Sequence, residues 1–123
     1  MKLALAQINC TVGAVKSNSA RIVDAYRRAR EAGAELVITP ELAIAGYPPR
    51  DLLQRTSFVR ACQRQVGELA AVTSDGGALL VGTVDNDDPA TTGRRNTLNS
   101  TVLATGEELG RHDGTYGFTI GQR

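Results

Sequence analysis

An α/β fold built on a mixed sheet with flanking helices is what the sequence predicts, on three observations. Short apolar runs at residues 2–8, 35–39 and 78–84 have the length and density of strands packed inside a sheet. Between the first two lies a stretch whose apolar residues recur every three to four positions, the period of a helix. Strand alternating with helix over 123 residues gives one α/β domain rather than an all-α or all-β one.

The elements follow in order. Lys2 to Ile8 reads as a strand, and its continuous apolar character predicts burial on both faces. Ser17 to Ala32 reads as an amphipathic helix: Ile22, Val23, Tyr26 and Ala29 form the apolar stripe, with Arg21, Arg27, Arg28 and Glu31 opposite. Gly33 is placed to cap it. Glu35 to Thr39 is a second strand closed by Pro40, which makes a β-α-β unit with a parallel pair and a right-handed crossover. The segment PELAIAGYPPRDLLQR has no period, and Pro48-Pro49 keep its centre irregular. Arg60 to Val72 is helical again, with Cys62, Val66 and Leu69 on one face. Ala78 to Val84 is a third strand, Asp85 to Gly93 a polar loop, Leu98 to Ala104 a fourth strand, and Thr105-Gly106-Glu107 a turn into a fifth around Leu109. The stretch RHDGTYGFTIGQR has no strong period.

Composition excludes several classes. Fourteen basic side chains face thirteen acidic ones, a formal net charge of +1, which argues against a nucleic-acid binder or an acidic tail. No apolar run approaches the roughly 20 residues that span a bilayer. The start, MKLALAQINC, turns polar at Gln7 and Asn9, too early for a signal peptide, so a cytoplasmic protein with no membrane partner is expected. Two cysteines, Cys10 and Cys62, and a single histidine give little material for disulfides or metal centres. Only Lys2 and Lys16 stand against twelve arginines.

The candidate for chemistry is Glu41. It follows a parallel strand and Pro40, and ligand sites of open α/β sheets gather at that carboxyl end. Flanked by Leu42, Ala43 and Ile44, its carboxylate is expected to be partly desolvated and so to serve as a general base. The plainer alternative is a solvated loop carboxylate. Cys10 and Cys62 read as small buried hydrophobes. Arg27, Arg28 and Arg30 read as a solvated helix face, and Arg94-Arg95 as a loop pair able to meet phosphate. Asp85, Asp87 and Asp88 resemble part of a calcium loop but lack its glycine and terminal glutamate. No P-loop or dinucleotide fingerprint occurs.

Three blocks, ALAQINCTVG (4–13), AELVITPELAIAGYPPRDLL (34–53) and ALLVGTVD (78–85), resemble in order and spacing the N-terminal half of a nitrilase-superfamily carbon–nitrogen hydrolase. The string GYPPRDLL after PEL is similar to the glutaminase domains of glutamine-dependent NAD synthetases. The resemblance covers residues 1–111 and leaves 112–123 as a divergent tail. It implies half of an α-β-β-α sandwich, truncated before its second sheet. It also implies hydrolysis of an amide, glutamine, by a Glu–Lys–Cys triad that feeds ammonia to NAD synthesis. In such a triad a thiolate attacks, the glutamate moves protons and the lysine steadies the oxyanion. The glutamate carries over onto Glu41.

Where the family pattern continues into its lysine, this sequence has His112, Asp113 and Gly114; the family's cysteine is expected beyond residue 123. Tyr116-Gly117 echoes a substrate-binding stretch at compressed spacing, and no role carries over onto Tyr116. HDGTYGFTIGQR also resembles a motif of tRNA-specific 2-thiouridylases. No cofactor is expected in this segment, since the resemblance implies ATP and magnesium only for a synthetase domain that these residues do not include. Three functions therefore compete: part of a glutamine amidohydrolase, a non-catalytic α/β interaction module of the same fold, and a nucleic-acid-modifying chimera, against which the near-zero charge speaks. The resemblance further implies self-association into a homo-oligomer, and a half-sandwich standing alone is expected to be marginally stable or to associate.

Overall fold

The computed structural model describes residues 1–86 and 97–113, with β1 at Leu3–Leu5, α1 at Val15–Glu31, β2 at Leu36–Ile38, α2 at Thr56–Val72, β3 at Ala78–Asn86, β4 at Thr97–Thr105 and β5 at Glu107–Asp113. Short 3-10 turns precede and follow α2, at Arg50–Gln54 and Thr73–Asp75. The five strands lie in the order β1-β2-β3-β4-β5. The first three are parallel, and β3-β4-β5 is an antiparallel meander with a bulge at Leu103/Ala104. This is the mixed sheet with flanking helices that the sequence predicts.

Helix α1 forms where its stripe falls at helical spacing: Val15, Asn18, Ser19, Ile22 and Tyr26 are buried. No side chain caps its first turn, so nothing local in the sequence marks the start at Val15, two residues before Ser17. Its end is well marked. Gly33 adopts φ +92°, and the Lys2 ammonium donates to the Ala32 carbonyl at 2.8 Å. Helix α2 begins at Thr56, one turn earlier than Arg60, and buries Val59, Cys62, Val66 and Leu69.

Both helices cover one face of the sheet. Val37, Leu79, Val81, Val102 and Ala104 on that face are at most 1% exposed and pack with Ile22, Tyr26 and Leu69. Each of the valine, leucine and isoleucine side chains among them contributes about 1.5–3 kcal/mol by leaving water. The opposite face holds Leu5, Ile38, Leu80 and Leu103 in one cross-strand row. Here the expectation for the first strand is corrected. It is short and lies at the sheet edge, and Leu3 and Leu5 are 52% and 67% exposed. Burial on both faces needs a layer on each side, and the helices supply only one.

A polar clasp closes the helical layer against the sheet. Tyr26 donates its hydroxyl to Asp75 Oδ1 at 2.6 Å, and Arg30 Nε pairs with Asp75 Oδ2 at 3.1 Å while its Nη1 donates to the Ala34 carbonyl. Burial, then the bond to Asp75, pushes the Tyr26 phenol up to about 12. The same bond, with the Gly77 amide and the Arg30 guanidinium, holds the Asp75 carboxyl below its ordinary value. Arg30 is thus half-buried and engaged, which corrects its assignment to a solvated basic face; Arg27 and Arg28 are exposed as expected.

Candidate active site

Glu41 lies in the turn that leaves the carboxyl end of β2, as its sequence position predicts. The turn is tied on both flanks to β3. Thr39 N donates to the Leu80 carbonyl at 3.0 Å, the Gly82 amide donates to Thr39 Oγ1 at 3.1 Å, and Ile44 N donates to the Gly82 carbonyl at 3.3 Å. Gly82 is required by this approach: a Cβ there would stand 2.6 Å from Leu42 N and 2.7 Å from the Pro40 carbonyl oxygen. The bond from Gly46 N to the Leu42 carbonyl, 2.8 Å, closes the turn.

Leu42, next to Glu41, has φ +52°, in the left-handed region. That conformation costs an L-residue about 1–2 kcal/mol. Burial of Leu42, Ala43, Ile44 and Ala45, each at most 5% exposed, holds it in place. The apolar residues after Glu41 therefore point into the core, not around the carboxylate. Glu41 itself is exposed, which corrects the expectation that its neighbours desolvate it.

The carboxylate lines a cleft of about 170 Å³ with Ile8, Asn9, Cys10, Pro40, Leu42, Ala43 and Tyr47. Tyr47 is 66% exposed and precedes a cis bond to Pro48. Larger hollows of about 420 and 430 Å³ run along α1, one of them bordered by α2, but they are shallow surface grooves with no grouping of reactive side chains. Cys10 is half-buried and lines the cleft with Glu41, which corrects its reading as a small buried hydrophobe. Burial raises the Cys10 thiol above its ordinary value although Arg21 pulls it down. Cys62 is fully buried among Val59, Val66 and Leu69, and burial pushes its thiol to about 11. It is the small core hydrophobe that the sequence predicts.

Neither lysine lines the cleft: Lys2 is engaged with the Ala32 carbonyl, and Lys16 borders a groove between α1 and α2. Among the described residues no three or more His, Cys, Asp and Glu side chains come together as a metal site, and no helix is long and apolar enough to cross a membrane. His112 and Asp113 belong to β5, paired with Thr101 and Ser100. Asp87, Asp88, Arg94-Arg95, Tyr116 and the tail from residue 114 lie outside the described residues, and with them the calcium-loop, phosphate and thiouridylase readings.

The cleft at the end of β2 and the β-α-β scaffold under it can be compared with known proteins. The carbon-nitrogen hydrolase family matches residues 2–115. The chain belongs to this family. Its sequence is 44% identical over 102 residues to a glutamine-dependent NAD(+) synthetase of Synechocystis sp., a match that covers 82% of this chain and 18% of that protein. Its fold is similar to that of the glutamine-dependent NAD+ synthetase of Acinetobacter baumannii, with a TM-score of 0.80 and 27% identity over 97% of this chain and 22% of the other. It is also similar to an amidase from Nesterenkonia sp., with a TM-score of 0.77 and 28% identity over 100% of this chain and 49% of that one. In two variants of that amidase the acetamide moiety of fluoroacetamide is covalently attached at the active-site cysteine. The chain therefore spans less than a fifth of the length of the Synechocystis synthetase and about half of the Nesterenkonia amidase.

Proposed function

We infer that the chain provides the proton-transferring part of a glutamine amidohydrolase site, one that releases ammonia for NAD+ synthesis in the cytoplasm. The observation that carries this reading is Glu41 on a clamped, conformationally strained turn at the carboxyl end of a parallel strand, in a chain of the carbon–nitrogen hydrolase family. The identity to glutamine-dependent NAD(+) synthetases supports glutamine as the amide.

In this reading Glu41 accepts the proton of a cysteine thiol as its sulfur attacks the amide carbonyl. It returns that proton to the leaving nitrogen, so that ammonia departs and a thioester remains. It then takes a proton from the water that releases glutamate. A carboxylate exposed in a cleft gains its driving force when bound substrate expels water. Cys62 is fully buried in the core away from the cleft and is not the nucleophile, and neither Lys2 nor Lys16 lines the cleft as a cation for the oxyanion. In this reading residues 1–123 by themselves release no ammonia, because the sequence has His112, Asp113 and Gly114 where the family pattern has its lysine.

Glu41→Gln tests the reading in the whole protein that contains these residues. Ammonia release from glutamine is expected to fall by about a hundredfold or more with folding intact, because the amide keeps the shape but accepts no proton. Near-normal turnover would overturn it. The exposure of Glu41 favours one second reading, a non-catalytic module of the same fold. That reading prevails if the whole protein releases no ammonia from glutamine or other small amides.

A further inference from the structure

Asn18 lies on the buried stripe of α1, one turn before Ile22 and two before Tyr26, and it is fully buried. An asparagine inside a helix is disfavoured because its amide competes with the backbone, and burying it costs free energy unless its polar atoms are paired. Here they are. Oδ1 accepts from Thr11 N at 2.8 Å, and Nδ2 donates to the Thr11 carbonyl at 2.7 Å and to the Ile44 carbonyl at 2.9 Å. One side chain thus bonds both to the loop after β1 and to the turn that carries Glu41, three residues past the carboxylate.

The two loops also meet directly. Gly13 N donates to the Ala45 carbonyl at 3.0 Å, and a Cβ on Gly46, at φ +80°, would stand 2.6 Å from the Val12 backbone. The Glu41 turn is therefore held from β3 on one side and from Asn18 and residues 11–13 on the other. Between these anchors sits Leu42 in a conformation that its own side chain disfavours. Such a turn keeps its shape only while its flanks are fixed.

We propose that Asn18 is a positioning residue for Glu41: its amide fixes the Ile44 carbonyl, and so the turn, such that the carboxylate faces the cleft shared with Asn9, Cys10 and Tyr47. The proposal rests on the reading of Glu41 as the proton-transferring group. It is distinct from a packing role, because a methyl-bearing side chain would fill the site as well and leave the Thr11 and Ile44 groups unpaired.

The experiment compares Asn18→Asp, Asn18→Ser and Glu41→Gln in the whole protein that contains these residues, with ammonia release from glutamine as the assay. Asn18→Asp keeps the size and the acceptor for Thr11 N but turns both donated bonds into oxygen facing carbonyl oxygen. Asn18→Ser shortens the side chain and keeps one donor. In the Asn18 variants that melt close to the parent, kcat is expected to fall at least about tenfold with KM within about twofold, since misplacing a reacting group costs rate more than binding. The acid limb of the kcat profile is expected to move as the surroundings of Glu41 change. A folded Asn18 variant with unchanged kcat and pH profile, beside an inactive Glu41→Gln, overturns the positioning role alone. Near-normal turnover in Glu41→Gln overturns both. If neither Asn18 variant folds, amide hydrogen exchange in the parent decides. Gly13, Ile44 and Gly46 exchanging together, as slowly as Val81, supports the clamp; Ile44 and Gly46 exchanging as freely as a surface loop overturns it.

Discussion

The two faces of the sheet differ more than any other pair of regions in the molecule. Beneath α1 and α2, Val37, Leu79, Val81, Val102 and Ala104 are sealed from water, and the Tyr26–Asp75–Arg30 clasp closes the layer. Across the same strands, Leu3 and Leu5 stand more than half exposed and Leu36, Ile38 and Leu80 are half-buried, while Leu103 at the far end of the row is buried. Both faces are built from the same kind of residue. The difference teaches that apolar character in a strand records what the sheet can bury, while the layers present decide what it does bury.

The sharpest test of that contrast is a pair of truncations. Leu79→Ala, on the sealed face, is expected to cost about 2–5 kcal/mol in denaturant unfolding, whereas Leu5→Ala on the open face is expected to stay within about 0.5 kcal/mol. Equal losses would mean that the open face is covered in solution. Next in size is the clasp. Tyr26→Phe is expected to cost about 1–2 kcal/mol, because it removes a hydrogen bond to a charged acceptor.

The clasp also has a pH signature. The Asp75 carboxyl is lowered in the folded state, so its contribution is present above the ordinary carboxylate value near 3.8 and is lost as pH falls through the folded one. The Tyr26 phenol is raised from 10.0 to about 12, so its contribution is full below 10.0 and is lost as pH rises toward 12. Asp75→Asn is expected to flatten the acid arm of the stability profile; an unchanged arm would remove Asp75 from the clasp. The smallest effect on stability, and the most visible on behaviour, is expected from Leu5→Ser. Melting should barely move while light scattering at high concentration falls, as the exposed apolar row is interrupted. Unchanged scattering would separate the open face from self-association.

Much of this was legible in the sequence because it follows from periodicity. The Ile22–Tyr26–Ala29 stripe, the parallel pair around it, Cys62 in the core and the carboxyl-end position of Glu41 need only local pattern and the crossover rule. What escaped depends on tertiary context. The first turn of α2 has no capping side chain and follows a proline-rich stretch, so propensity gives no mark at Thr56. The left-handed Leu42 carries no signal, since leucine does not favour that region. The exposure of Glu41 could not be inferred from Leu42, Ala43 and Ile44, because sequence neighbours do not reveal which way a turn faces. Asn18 did leave a trace. It is a polar residue at the spacing of Ile22 and Tyr26, and a polar residue on a buried stripe asks for partners elsewhere in the chain.

Gly82 makes the same turn costly to alter by mutation. With the Pro40 carbonyl and the Leu42 amide already within 2.7 Å of where any side chain would begin, every other amino acid at position 82 must push the Glu41 turn off β3 or distort the strand in the middle of the sheet. Residues 39–44 and position 82 are thus one hereditary unit, although some forty positions separate them in the chain. A library randomised at 82 returns glycine, or returns companions changed in the turn.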